Sequence, residues 1–86
     1  MSPVSKQDKA VERLISRPTD FSWDELQSLM KRFGYAMKTT GGSGRKFARP
    51  DGGQSFVIHE PHPKSILKAY QVREFLAFLR QEGHIE

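Results

Sequence analysis

The stretch "YAMKTTGGSGRKFARPDGGQSFVIHE", residues 35–60, departs in period from everything around it. "YAMKTT", "GRKFAR" and "QSFVIHE" alternate in polarity, separated by the glycine cluster at 41–44 and by "PDGG" at 50–53. A period of two marks strands, so the stretch predicts three strands joined by two turns. Pro50, Asp51 and Gly52 suit a turn for separate reasons: a fixed φ, a side chain that bonds the backbone, and access to positive φ. If Phe56 and Ile58 face a core, then Ser55, Val57 and His59 face the other way.

Working outward, the pattern turns helical on both sides. In "SWDEL", Ser22 and Glu25 have the spacing of a capping box, and Asp24 and Glu25 sit at the positive end of the helix dipole. Leu26, Leu29, Met30 and Phe33 carry the apolar face to Gly34, which predicts a helix over about 23–33. Before it, "SKQDKAVERLIS" sets Ala10, Val11, Leu14 and Ile15 on one face, with Ser5 as candidate cap. "RPTD" ends that helix, because Pro18 disfavours helical geometry at Arg17. After the strands, the prolines at 61 and 63 in "EPHP" stop the sheet. Val72, Phe75, Leu76 and Leu79 then mark a third helix from about Ala69 to Glu82, closed by Gly83. The expected fold is α+β: a three-stranded antiparallel sheet with helices two and three packed on one face, the other face free for a ligand, and an extra N-terminal helix at the edge.

Composition limits what such a fold can do. A length of 86 residues allows one domain, 1–86, without a deep substrate cavity. The absence of cysteine excludes disulfides and thiolate metal sites and fits a reducing compartment, so the cytoplasm is expected. No apolar run approaches the roughly 18 residues of a membrane span, and "MSPVSKQDKA" lacks the apolar core of a signal peptide. No membrane partner is expected. The net charge of +4 is unevenly spread: +1 over residues 1–34, +4 over 35–70 and −1 over 71–86. The surplus lies in the middle third, which contains the strand stretch, and a localised basic surface attracts polyanions.

Several motifs reduce to structure. "GGSGRK" lacks the P-loop spacing and does not lead from a strand into a helix, so it reads as a turn. "HEPH" offers two imidazoles, but its prolines and the lack of a third nearby histidine or any cysteine argue against a closed metal site. Neither metal nor cofactor is expected. His84, beyond the last helix stop, reads as a solvated tail residue, and Trp23 and Phe33 as core. What remains is Lys38, Arg45, Lys46 and Arg49 on neighbouring strands, Ser43 at the turn, and His59 and His62 at the end of the third strand. Phosphate chemistry uses such a set. Metal-free RNA cleavage needs a base for the 2′-hydroxyl, an acid for the leaving 5′-oxygen and cations around the phosphorane, and histidine, titrating at about 6.5, serves in the first two roles. On spacing alone, a solvated basic sheet face with a turn histidine stays open as the alternative.

From about residue 22 to 82 the chain resembles the HicA family of bacterial toxins. The likeness is carried by a helix ending in "FGY", a G-S-x-x-x-F element seen as "GSGRKF", a "PDG" turn, an apolar strand running into "HEPHP", and the closing helix "VREFLAFL". The resemblance implies a double-stranded-RNA-binding-like sheet with two helices, cleavage of messenger RNA, and neutralisation by a HicB-type antitoxin. The helix at 5–16 lies outside that common core. Many members carry a histidine directly after the G-S pair as the catalytic residue, and Gly44 stands in that place here. The role then passes to His59 or His62, with His59 favoured because a strand holds it, while Lys38, Arg45, Lys46 and Arg49 grip phosphate and Ser43 shapes the turn. Two further functions stay open: an RNA-binding module that does not cut, and a protein-interaction domain for an acidic partner.

Overall fold

The computed structural model of the chain describes residues 6–85. It contains helices α1 (Lys6–Ile15) and α2 (Trp23–Arg32), strands β1 (Ala36–Thr39), β2 (Gly44–Ala48) and β3 (Phe56–His59), and helix α3 (Ala69–Gln81). The strands form one antiparallel sheet in the order β1-β2-β3. The expected cap Ser5 and the rest of the opening "MSPVS" lie outside the described residues.

Each element forms for a local reason and then buries one side. Ser22 caps α2: its hydroxyl accepts from the Glu25 amide at 3.1 Å, and the Glu25 carboxylate accepts from the Ser22 amide at 3.0 Å. Arg13 of α1 bonds the same carboxylate at 2.6 Å and Asp20 at 2.9 Å, so one glutamate closes the cap and ties α1 to it. The guanidinium beside it holds the Glu25 carboxyl below its ordinary value. Arg17, just past α1, takes the left-handed conformation at φ 53°, and Pro18 leads the chain away.

α2 and α3 cover one face of the sheet. The Trp23 ring lies 5.9 Å from Phe47 of β2, while Phe56 of β3 packs against Phe75 at 5.8 Å and Phe78 at 4.9 Å. α1 does more than pad an edge, because it packs against both α2 and α3, and its Leu14 is fully buried beside Leu26, Leu29, Leu76 and Leu79. A second tie has no periodic signal in the sequence: residues 65–67 run antiparallel to 21–23, with Trp23 N donating to Ser65 O and Leu67 N to Phe21 O, both at 2.8 Å. That bridge clamps the approach to α3 against the start of α2.

Candidate nucleic-acid interface

Register decides which side chains share the uncovered face. Lys38 pairs with Lys46, Lys46 with Val57, and Gly44 with His59. Phe47, Phe56 and Ile58 are buried under the helices, so alternation puts Lys38, Gly44, Lys46, Val57 and His59 together on the opposite side. Lys38, Lys46 and His59 are exposed there, as is Val57 at 59 %. No strand position on this face carries a carboxylate. Like charges directly across a ladder destabilise a sheet, and an anion laid between Lys38 and Lys46 removes that cost.

The turn between β1 and β2 delivers Ser43. Gly41 and Gly42 hold φ of 99° and 51°, values that favour glycine, and bring the chain round so that Gly44 N donates to Gly41 O at 3.0 Å. Ser43 then extends the β2–β3 pairing, its carbonyl accepting from Glu60 N at 2.8 Å. Its hydroxyl lies 3.2 Å from His59 Nδ1, and Nε2 has no hydrogen-bond partner among the described residues. Gly44 carries no side chain at the position facing His59, and a Cβ there would meet the Thr40 hydroxyl.

Two groups behind the face hold His59 and the turn in place. Gln71, only 3 % exposed, donates from Nε2 to the His59 carbonyl at 3.0 Å and accepts on Oε1 from Lys68 N at 3.0 Å. It is the third residue of α3, so the start of that helix is fastened to the end of β3. Arg45 has the parity of Phe47 and does not join the lysines. Its guanidinium bonds the carbonyls of Gly42 and Gly44 at 3.0 and 2.8 Å and pairs with Glu60 at 2.9 Å, strapping the glycine turn to the chain beyond β3. Arg49 is also engaged elsewhere, bound to Asp51 at 3.0 and 2.6 Å and lying 5.8 Å over the Tyr35 ring. His62 is exposed past the strand, and its ring makes no hydrogen bond among the described residues.

The structure therefore gathers Lys38, Ser43, Lys46 and His59, and leaves Arg45, Arg49 and His62 outside that group. Gln71 escapes sequence reasoning because a glutamine beside an apolar stripe looks solvated; its place three residues after Lys68, in a helix with no capping side chain, is the only hint. Among the described residues no three histidine, aspartate or glutamate side chains come together as a metal site. His84 is not a solvated tail residue: its ring stacks on Phe33 at 4.8 Å and its Nε2 lies 2.8 Å from the Tyr35 hydroxyl. Burial, with Arg49 nearby, pushes the His84 pKa below 6.5.

No helix among the described residues is long and apolar enough to cross a membrane. Compared with known proteins, the chain finds no significant match among curated proteins or solved structures. The family model described as HicA toxin of bacterial toxin-antitoxin matches residues 23–83, a span that takes in α2, the whole sheet and α3 and leaves α1 outside. With most of its length matched, including every element that builds the lysine and histidine face, the chain belongs to the HicA toxin family of bacterial toxin-antitoxin systems.

Proposed function

We propose that this chain is a metal-independent endoribonuclease of the bacterial cytoplasm that cleaves messenger RNA on the uncovered sheet face and is neutralised by a HicB-type antitoxin. The observation that carries this is the register of Gly44 with His59. Directly paired residues project side by side from one face. An imidazole at 59 thus occupies the patch that a histidine at 44 would have occupied, reached from the neighbouring strand.

In this scheme Lys38 and Lys46 hold the phosphate and offset the charge that builds on it. Ser43 bonds Nδ1 of His59 and turns Nε2 to the substrate. Nε2 takes the proton of the 2′-hydroxyl, the 2′-oxygen attacks phosphorus, the bond to the 5′-oxygen breaks, and that oxygen takes a proton from water on the open face. The products are a 2′,3′-cyclic phosphate and a free 5′-hydroxyl. Arg45 and Gln71 act from behind, one holding the turn and the other the His59 carbonyl.

The test is cleavage of an RNA by the purified chain in excess chelator, with end-group analysis. His59→Ala is expected to lose about 10² to 10⁴ in rate, as for a general base, while retaining RNA affinity. His62→Ala should cut at nearly the parental rate. Loss with His62→Ala alone would move the role to that residue. A parent protein that binds RNA without cutting it would leave the non-catalytic RNA-binding module, the reading that Gly44 favours.

A further inference from the structure

On the helical side, away from the sheet's uncovered face, a cleft of about 400 Å³ opens between the turn after α1 and the start of α3. Its floor is aliphatic, formed by Pro18, Leu67 and Val72, and its rim is Arg17, Lys68 and Arg73. No carboxylate among the described residues lines it. None of the three cations has an ion pair or a side-chain hydrogen bond among the described residues. Three unpaired positive charges around an apolar floor are a complementary mould for a segment that alternates acidic and aliphatic side chains.

Arg17 adds an independent sign. It sits at φ 53° at the end of α1, a position glycine takes at no steric cost. An arginine there takes the left-handed conformation with its amide donating to Leu14 O at 2.9 Å, while its side chain lines the cleft and has no hydrogen bond or ion pair among the described residues.

From this geometry we infer that the cleft is a docking site for an acidic, aliphatic segment of a protein partner, separate from the RNA face. A nucleic acid fits less well, because no aromatic ring among the described residues lines the cleft to stack a base. The separation follows from α3, which turns Gln71, Phe75 and Phe78 to β3 but Val72 and Arg73 to the cleft. Family membership supplies the expectation of a protein partner; the inference does not depend on the role of His59. It makes capture of the toxin and blocking of its RNA face two separable events.

The experiment is a fluorescence anisotropy titration of the purified chain with a labelled peptide repeating Glu-Glu-Leu-Leu. Saturable binding is expected, weakened about tenfold or more by Arg17→Gly combined with Arg73→Ala. Glycine is at ease at φ 53°, so this variant should melt at or near the parental temperature. Lys38→Ala with Lys46→Ala should change peptide affinity by less than about twofold, as for a distant site. The inference is overturned if the parent shows no saturable binding, or if the peptide is lost with the two lysines and not with the two arginines. It is also overturned if a labelled uridine oligonucleotide, rather than the peptide, is the ligand lost in the arginine variant.

Discussion

A histidine that stacks on Phe33 and faces the Tyr35 hydroxyl is held best as the neutral ring. Burial raises the Tyr35 phenol above its ordinary value, so the hydroxyl that shares a 2.8 Å hydrogen bond with His84 Nε2 stays uncharged. Burial and Arg49 lower the pKa of His84, against a smaller pull upward from Glu82. A group whose folded pKa is depressed binds more protons unfolded than folded as pH falls below its ordinary value. Its stabilisation is therefore present above 6.5 and is lost as pH drops through the lower folded value. His84→Gln should flatten the dependence of the urea midpoint on pH between about 5 and 8, the range in which histidine changes charge. An unaltered curve would mean that the ring is not docked in solution.

At the scale of elements, stability rests on few devices. Ser22→Ala removes the acceptor that starts α2 and should cost about 0.5 to 2 kcal/mol. Leu14→Ala and Leu76→Ala each open a void among fully or almost fully buried neighbours and should each cost about 2 to 5 kcal/mol in denaturant unfolding. If Leu14→Ala is neutral, α1 is not part of the core. The three strands, α2 and α3 are legible in the sequence because each declares itself locally, by period, cap or turn residue. What is not legible is non-local. The bridge between 65–67 and 21–23 joins backbone to backbone and leaves no side-chain pattern. Arg45 looks like any strand cation until β3 brings Glu60 beside it, and His84 follows a helix stop that says nothing of the Phe33 and Tyr35 rings it returns to. For the site, residue type and strand parity place Lys38, Lys46 and His59 together. Sorting the two arginines from the two lysines requires knowing which residues turn under the helices.

At the scale of the whole molecule, the charge surplus divides between two surfaces: the lysine pair on the sheet and the cation rim of the helical cleft. Binding of single-stranded RNA by phosphate contacts weakens with salt by a slope of about 0.7 per phosphate. Lys38→Ala with Lys46→Ala should therefore reduce the magnitude of the slope of log affinity against log salt by about 1.4. Arg45→Ala should lower the melting temperature and leave that slope almost unchanged, since its charge already meets Glu60. The lysine pair also bears on how this sheet can be improved. A carboxylate opposite Lys46 would turn a repulsion into a cross-strand attraction worth about 0.2 to 1 kcal/mol, at no cost in burial because both positions face solvent. A laboratory selection for thermal tolerance alone would therefore drift toward acid at position 38 and disarm the RNA face, so any hardened variant of this protein should be screened for what it still binds.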